Sequence, residues 1–250
     1  MRLQEKVAIV TGASKGIGRA IALGYAQEGA DVVLAARTRE LLDEVAEKIR
    51  ALGRRAIVAV TDVTEEESVK AMVRKAREAF DRIDILVNNA GGGAYRPIWA
   101  TPLKTWDWLM DVNLKGPFLC TKHIWRTMQK QGGGTILNIG STSGSRAYPL
   151  MSAYSASKWG LVGLTKVCAE EGRPDSIRVN IINPGKVATG FRGFIKDKNP
   201  ILEAQDIVGT AIFLASDEAV GIYGQVIEMV HRLDGVQEFR RSRNGNSEHA

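Results

Sequence analysis

Residues 7–29 read VAIVTGASKGIGRAIALGYAQEG, and this stretch carries the main signal for the fold. A run of β-branched and apolar residues leads into a glycine-rich turn, and an amphipathic, alanine-rich segment follows. This order predicts a buried strand, a tight turn and a helix. Glycines in such a turn let the backbone and the helix N-terminus approach a phosphate group, whose charge the helix dipole favours. The stretch therefore predicts the first half of a βαβ unit with an anion-binding turn.

The glycines of this turn are spaced G-x-x-x-G-x-G, one step different from the common dinucleotide fingerprint. A glycine-rich turn alone is weak evidence, because a purely structural turn has the same composition. If a dinucleotide binds here, its pyrophosphate is expected beside the turn and the first residues of the helix. The predicted contacts are Gly12, Ser14, Lys15, Gly16, Ile17 and Gly18.

Short apolar runs alternate with longer amphipathic segments along the rest of the chain, which predicts repeated βαβ units and a parallel sheet. Strands are predicted at residues 7–10, 31–35, 56–60, 85–87, 135–139, 178–182 and 225–230, and two long helices near 104–129 and 152–171. Gly29 and Gly53 are predicted left-handed helix ends, and Thr64–Glu67 is a predicted capping box. The expected fold class is α/β: a single doubly wound Rossmann-type domain of about seven parallel strands with helices on both faces. This domain should occupy residues 1–230, and residues 231–250 should form a polar tail.

The composition narrows the class of protein. The 250-residue chain is 44% hydrophobic and 25% charged, without an apolar stretch near the roughly 20 residues that span a bilayer. Its net charge of +6 is dispersed among compensating acids, which favours a solvated surface over a nucleic-acid site. Cys120 and Cys168 lie in apolar helical patterns and are predicted buried thiols, and no metal site is predicted. We expect a cytoplasmic protein with no nucleic-acid or membrane partner.

The end of the second predicted strand bears on the choice of nucleotide. A chain that binds NAD commonly places an acid here for the ribose hydroxyls, but this sequence has Ala35-Ala36-Arg37-Thr38. Arg37, together with Lys15 of the glycine turn, supplies positive charge suited to the 2′-phosphate of NADP. The alternative is that both are ordinary solvated side chains. The sequence therefore predicts NADP(H) as the cofactor.

Two later strand ends carry polar or small residues at the same predicted edge. Asp62 and Val63 follow the third strand, and the acid suits the adenine amino group. Asn89, Ala90 and Gly91 follow the fourth, where glycine lets the backbone approach a ligand. Each set could instead be ordinary turn chemistry. Their convergence at one edge is what favours a cofactor site.

Ser141, at the end of the fifth predicted strand, and the pair Tyr154 and Lys158 form the strongest local constellation. Residues at positions i and i+4 share one face of a helix, so the ammonium can lie near the phenol. A charge pair at ~4 Å under an effective dielectric of ~20 is worth about 4 kcal/mol, or roughly three pKa units. We therefore expect Lys158 to bring the pKa of Tyr154 towards neutrality. Such a phenol can protonate a carbonyl oxygen, which Ser141 would hold by a hydrogen bond.

The chain resembles the short-chain dehydrogenase/reductase family over roughly residues 4–230. The matching motifs are Thr11–Gly18, Asp62, Asn88–Gly91, Asn113 in MDVNLKG, Ser141, Tyr154-x-x-x-Lys158 and Asn183–Thr189. The resemblance implies a catalytic tetrad of Asn113, Ser141, Tyr154 and Lys158, in which Asn113 supports a water relay. It also implies that Tyr154 and Lys158 contact the cofactor, Lys158 through the nicotinamide ribose. The nicotinamide amide would be bound by Pro184, Gly185, Val187 and Thr189.

Within this family the chain looks most like the bacterial 3-oxoacyl-acyl-carrier-protein reductases of fatty acid biosynthesis. That resemblance implies a homotetramer built partly on the two long helices. Lys130 and Arg173 could meet an acidic carrier protein, but the more usual interpretation of both is as solvated charges. The expected reaction is NADPH-dependent reduction of a ketone or a 3-oxoacyl thioester. An alcohol, sugar or steroid dehydrogenase with the same site, and a non-catalytic NADP sensor, remain as alternatives.

Two segments of the chain depart from the family pattern, and the role of its tryptophans is not defined by that pattern. Residues 190–204 form a short segment where relatives carry helical lid elements. The last strand continues into Glu228–Gly235 rather than into an Asp-Gly-Gly turn. The resemblance therefore does not define the C-terminal side of the substrate pocket or one subunit interface that the family often uses. The five tryptophans between the fourth strand and the active-site helix are interpreted mainly as packing residues. Trp99 and Tyr95 could also border the substrate.

Overall fold

The computed structural model describes residues 1–189 and 202–231. Its strands are β1 (Val7–Thr11), β2 (Asp31–Ala36), β3 (Ala56–Val60), β4 (Ile85–Asn88), β5 (Gly134–Ile139), β6 (Ile177–Pro184), β7 (Val187–Ala188), β8 (Leu202–Glu203) and β9 (Val226–Met229). Its helices are α1 (Gly16–Gln27), α2 (Arg39–Ala51), α3 (Glu66–Phe80), α4 (Leu103–Met110), α5 (Gly116–Lys130), α6 (Ser152–Gly172) and α7 (Ala204–Ala215). The expected segment at 190–204 lies mostly outside the described residues, as does the predicted tail.

Seven strands form one parallel sheet in the order β3-β2-β1-β4-β5-β6-β9, and β7 pairs with β8 beside it. The strand order reverses next to β1, whose neighbours are β2 and β4. At such a point, the connections that leave the carboxyl ends of the two neighbouring strands run to opposite faces of the sheet, and a crevice for ligands lies between them. The glycine-rich turn follows β1, so it lies at this crevice.

Helices cover both faces of the sheet, as expected for strands that are almost wholly apolar. Residues of α1, α2 and α7 form one buried cluster, and residues of α3, α5 and α6 form a second on the opposite face. Tyr25 of α1 shows how closely the first layer is packed, because its buried hydroxyl donates a hydrogen bond to Ala211 O of α7 at 3.0 Å. The predicted α/β fold with seven parallel strands and helices on both faces is confirmed.

The ends of the helices agree with the sequence only in part. Gly29 and Gly53 have φ angles of 95° and 75°, so the two predicted left-handed ends are confirmed. The capping box at Thr64–Glu67 is wrong, because α3 begins at Glu66 and no side chain caps it. The Thr64 hydroxyl donates to Asp62 Oδ1 at 2.8 Å instead. A carboxylate two residues away competes successfully for that hydroxyl.

The long helix predicted near 104–129 is interrupted. A π-helical turn at Asp111–Lys115 separates α4 from α5, and Gly116 N–H bonds to Asp111 O, five residues back. Pro117 has no N–H, so an α-helical bond from it to the carbonyl of Asn113 is impossible. π-Helical turns inside α-helices are frequent at functional sites, and this one carries the predicted site residue Asn113.

The tryptophans are packed to different degrees within this chain. Trp99 is 86% exposed, whereas Trp106, Trp108 and Trp159 are 39%, 44% and 53% exposed. Among the five, Trp125 packs against a core cluster. The interpretation of the tryptophans as packing residues is therefore wrong for Trp99 within the single chain. In residues 1–189 and 202–231 no helix is both long and apolar enough to cross a membrane.

Candidate active site

The glycine-rich turn has a backbone conformation and close contacts that side chains larger than glycine would prevent. Gly12 and Gly16 have φ angles of 64° and 56°, in the left-handed region where glycine is favoured. A Cβ at Gly18 would collide with the Asn89 amide nitrogen and the Gly12 carbonyl. At the start of α1 no side chain caps the helix, and no acid lies in its first turn. The helix N-terminus is therefore open to an anion, and the predicted contacts Ser14, Lys15 and Ile17 lie around it.

Thr11, which the sequence analysis did not assign to the site, joins β1 to β4 across the crevice. Its hydroxyl oxygen accepts from Asn89 N at 2.9 Å and from Ala90 N at 3.1 Å. The Asn89 amide in turn donates to Thr11 O and Gly12 O, at 3.0 and 3.2 Å. The only sequence signal for this role is a buried hydroxyl residue at the end of an apolar run. These bonds fix the position of Asn89–Ala90 relative to the glycine turn.

Arg37 and Asp62 lie near each other at the adjoining ends of β2 and β3. Burial raises the pKa of the Asp62 carboxyl. Two hydrogen bonds from Thr64 and the charges of Arg37 and Lys115 lower it by more, so the net shift of the pKa is downward. Arg37 is exposed, with its charge available to a ligand. Val63 is buried and packs against Gly116. The residues predicted for the adenosine end of a cofactor therefore share one surface.

The segment after β6 meets the glycine turn from the other side. A Cβ at Gly16 would lie 3.2 Å from Thr189 Cγ2, so the two predicted cofactor segments are in contact. Gly185 N donates to Met229 O at 2.7 Å, which ties this segment to β9. Pro184 is buried and Val187 partly so. The structure thus brings the residues predicted to bind the two ends of the nucleotide to one continuous edge.

Ser141, Tyr154 and Lys158 lie together at the same edge. Tyr154 and Lys158 are both buried near the start of α6, and Lys158 Nζ lies 5.9 Å from the centre of the Tyr154 ring. Tyr154 and Ser141 share a side-chain hydrogen bond. Lys158 Nζ donates to Ile139 O at 2.9 Å, at the end of β5. The predicted constellation is therefore assembled in the folded chain.

The electrostatics of this group differ from the expectation. Burial raises the pKa of Tyr154 to about 12, although its hydrogen bond with Ser141 acts in the opposite direction. Burial also lowers the pKa of Lys158 to about 8. The Lys158 ammonium points at the Ile139 carbonyl and does not bring the phenol towards neutrality. Tyr154 is thus a protonated phenol at neutral pH, suited to donating a proton.

Asn113 is fully buried and both ends of its amide are engaged. Its Oδ1 accepts from Gly92 N at 2.9 Å, and its Nδ2 donates to Gly92 O at 2.9 Å and to Ser157 Oγ at 3.1 Å. A Cβ at Gly91 would lie 2.8 Å from Asn113 Oδ1 and 3.8 Å from Lys158 Nζ. Gly91 therefore separates two members of the implied tetrad. The amide of Asn113 fixes the segment after β4 against α6.

We expect the buried Lys158 to make stability depend on pH. Its pKa is about 8 in the folded chain against 10.5 for an ordinary lysine. The unfolded chain therefore binds more protons between these pH values, and stability rises with pH there. In Lys158→Met this contribution is absent, and the variant's free energy of unfolding relative to wild type should fall by about 2 kcal/mol between pH 7 and pH 10. Denaturant titrations at the two pH values measure it. A difference that does not change with pH would contradict the prediction.

Lys130 and Arg173 lie far from this edge. Gln129 Nε2 donates to Asp175 Oδ2 at 2.5 Å, which ties the end of α5 to the turn that precedes β6. This places both basic residues near the amino-terminal ends of the strands. The six residues of β5 separate that region from Ser141, a span of about 20 Å. The two residues do not line the same chain's candidate active site.

A parallel sheet with a glycine-rich turn at its switch point is the architecture of dinucleotide-binding α/β proteins. The chain belongs to the short-chain dehydrogenase/reductase family, since the family model described as short chain dehydrogenase matches residues 6–200. It is 35% identical over 238 residues to the 3-oxoacyl-[acyl-carrier-protein] reductase of Thermotoga maritima, a match that covers 91% of this chain and 97% of the relative.

Two solved structures show the same fold. A 7α-hydroxysteroid dehydrogenase complexed with NADH and a 7-oxo bile acid has a TM-score of 0.88 at 32% identity, covering 93% of this chain and 97% of that one. An NAD⁺-bound xylitol dehydrogenase has a TM-score of 0.86 at 30% identity, covering 93% and 100%. Membership of the family makes this chain an oxidoreductase that interconverts carbonyl and hydroxyl groups with a nicotinamide nucleotide.

Proposed function

We propose that this chain is an NADPH-dependent reductase that converts a ketone or a 3-oxoacyl thioester to the hydroxyl compound. The observation that carries the proposal is the buried Tyr154, hydrogen-bonded to Ser141 and one helical turn from Lys158. A protonated phenol beside a hydroxyl donor suits a carbonyl oxygen, which must receive a proton as it is reduced. The same residues run the reverse oxidation under other conditions.

Each residue of the tetrad has its own role in the proposed reaction. Tyr154 Oη donates its proton to the substrate oxygen, while the Ser141 hydroxyl holds that oxygen by a hydrogen bond. The Lys158 ammonium, held by the Ile139 carbonyl and 5.9 Å from the centre of the Tyr154 ring, would bind the nicotinamide ribose beside the phenol. Asn113 completes the tetrad and supports the water relay through which Tyr154 regains a proton. The bound nicotinamide cofactor supplies the hydride.

The edge of the sheet fits such a cofactor. The uncapped start of α1, and the close approach of the backbone segments that Gly12 and Gly18 allow, form a cradle for a pyrophosphate. Asp62 would receive the adenine amino group, and the segment Pro184–Thr189 the nicotinamide amide. Tyr154 and Lys158 would contact the nicotinamide ribose. Arg37 and Lys15 would bind the 2′-phosphate that distinguishes NADP from NAD.

We expect Arg37→Ala to lower kcat/KM for NADPH by about tenfold or more and to leave kcat/KM for NADH nearly unchanged, because only NADPH carries the charge that Arg37 contacts. Steady-state assays with both cofactors measure the ratio. Arg39→Ala is the matched control, since Arg39 is an exposed arginine two residues away. Equal efficiency of the wild-type protein with both cofactors would contradict the NADP assignment.

The experiment that tests the reaction follows the absorbance of reduced nicotinamide with purified protein and a panel of carbonyls. The panel contains 3-oxoacyl thioesters, free and carrier-bound, together with diketones and simple ketones. Turnover of a 3-oxoacyl thioester supports the reductase assignment and favours the fatty acid reaction. Tight NADPH binding without turnover of any carbonyl would contradict it.

A second candidate is an NAD- or NADP-dependent dehydrogenase of alcohols, sugars or steroids. The observation that favours it is the structural likeness to the steroid and xylitol dehydrogenases, both with bound NAD nucleotides. Oxidation of an alcohol panel in place of carbonyl reduction would establish it. A non-catalytic NADP sensor is a weaker alternative, because a binding protein has no need for a buried phenol, serine and lysine at one site.

We further propose a homotetramer built on the long helices. Phe118 of α5 and Trp159 and Val167 of α6 are apolar and about half exposed, and Trp159, Gly163 and Val167 follow each other at four-residue spacing on one face. We expect light scattering to give about four chain masses, and Val167→Glu to lower that mass. A monomer at micromolar concentration would contradict this. In such an assembly the surface at Lys130 and Arg173 could serve a carrier protein bound at a neighbouring chain's site.

We propose that residues 1–230 form the catalytic domain and that residues 231–250 form a separate polar tail. We also propose that the protein is cytoplasmic. Cys120 and Cys168 are free, buried thiols, as expected in a reducing compartment.

A further inference from the structure

A chain of polar groups leads from Ser141 to a carboxylate at the end of β9. Ser141 N donates to Asn183 Oδ1 at 3.2 Å, and Asn183 Nδ2 donates to Ser145 Oγ at 3.5 Å. The Ser145 hydroxyl donates to Glu228 Oε1 in a short hydrogen bond, and Arg146 Nη2 lies 2.5 Å from the other carboxylate oxygen. Three segments of the fold, residues 141–146, β6 and β9, are thus connected by hydrogen bonds.

The direction of donation along this chain is set by chemistry. A carboxylate only accepts, and a serine hydroxyl has one proton to give. Because that proton goes to Glu228, the Ser145 oxygen is available to accept from the Asn183 amide nitrogen. The second acceptor near Ser145 is Thr142 O, at a longer 3.4 Å. Glu228 therefore selects one orientation of Ser145, and Ser145 selects one orientation of the Asn183 amide.

That orientation matters because Asn183 is fully buried beside Ser141. With the opposite orientation, its NH2 group would face the Ser141 N–H, donor against donor. Gly140 leaves the space, since a Cβ there would collide with Asn183 Oδ1. The carboxylate itself is held in its charged form: the hydrogen bond from Ser145 lowers the pKa of Glu228, burial opposes this, and Arg146 lowers it further.

We propose that Glu228 is a positioning residue for Ser141, acting through Ser145 and Asn183. By fixing the Asn183 amide, it holds the Ser141 backbone where the Ser141 hydroxyl meets the Tyr154 phenol. Glu228 does not touch the reacting atoms. The effect on turnover rests on the proposed function, whereas the effect on the Ser141 backbone does not.

The test therefore uses two measurements on the full chain, amide hydrogen exchange at Ser141 and steady-state reduction of the best carbonyl substrate. In Ser145→Ala we expect Ser141 exchange to accelerate and kcat to fall, each by about tenfold, with the KM for NADPH unchanged. Ser145→Thr keeps the hydroxyl and should restore both. Glu228→Gln should act in the same direction but less strongly, because Ser145 can then turn to Thr142 O.

The double variant decides whether the two residues act along one path. In the Ser145→Ala background, Glu228→Gln should add nothing to either measurement, since its route to Asn183 is already broken. The control is Glu67→Gln, which removes an exposed ion pair with Lys70 and should change neither measurement. Unchanged Ser141 exchange in Ser145→Ala, or additive effects in the double variant, would overturn the proposal.

If Ser145→Ala does not fold, Ser141 exchange in the partly exposed Glu228→Gln decides, and no acceleration there counts against the proposal. If no carbonyl is reduced, the proposed function fails. The exchange measurement still accepts or rejects the positioning role.

Discussion

Tyr154→Phe is expected to lower turnover by about a thousandfold while leaving NADPH affinity within a few fold of wild type, because it removes the proton donor and little else. The ring packs with Leu109, Met151 and Ala153 in a small buried cluster, and phenylalanine retains that packing. The lost hydroxyl also frees Ser141 of its hydrogen bond. Turnover of the best substrate and titration of NADPH by fluorescence measure the two parts.

The control for this variant is Tyr223→Phe. Tyr223 lies away from the candidate site. Its ring centre is 5.8 Å from Cζ of the Arg173 guanidinium. We expect its turnover to stay within about twofold of wild type. If Tyr154→Phe kept more than a tenth of the activity, the phenol would not be the proton donor. Ser141 and Lys158 would then have to act through another group.

Gly18→Ala is expected to weaken cofactor binding by about a hundredfold, since overpacking costs up to about 3 kcal/mol. An added methyl group would meet the Asn89 amide nitrogen and the Gly12 carbonyl. Both belong to the cradle, and the Gly12 carbonyl is backbone that cannot turn aside. The segment after β4 must then move away from the glycine turn. Calorimetric titration with NADPH and with NADP⁺ measures the loss.

Gly209→Ala provides the matched control for a helical glycine. Gly209 is exposed in α7, and nothing lies within 4 Å of a Cβ built there. Alanine is a better helix former than glycine by about 0.5–1 kcal/mol, so this variant should be slightly more stable and bind the cofactor normally. Equal cofactor affinity in the two variants would show that the close approach at Gly18 has no part in binding.

Local patterns were sufficient to predict the fold. The strand, turn and helix over residues 7–29 could be read from apolar runs and glycines, because each of these signals lies within a few residues of the structure it specifies. The same holds for Tyr154 and Lys158, which helical spacing places one turn apart. The doubly wound arrangement then followed from the general handedness of βαβ units.

Contacts between distant segments were the part that could not be predicted. Thr11 reaches Asn89 across 78 residues, and Ser145 reaches Glu228 across 83, so no local pattern marks either pair. The direction in which a flexible side chain points cannot be predicted from sequence spacing either. Spacing placed Lys158 near Tyr154, but only the fold shows its ammonium turned to the Ile139 carbonyl. The expected pKa of the phenol was wrong because burial raises it and the ammonium of Lys158 is turned away to another acceptor.

The bond between Tyr25 and Ala211, separated by 186 residues, bears on how the chain acquires its structure during synthesis. The apolar face of α1 is covered by α7, which emerges from the ribosome long after α1 has been made. The central strand β1 likewise waits for β4 before both of its edges are paired. Folding of such a topology depends on non-local contacts and is slow, with apolar surface exposed in the interval. A nascent chain that stalls before residue 204 would present an uncovered α1 to chaperones and to other nascent chains.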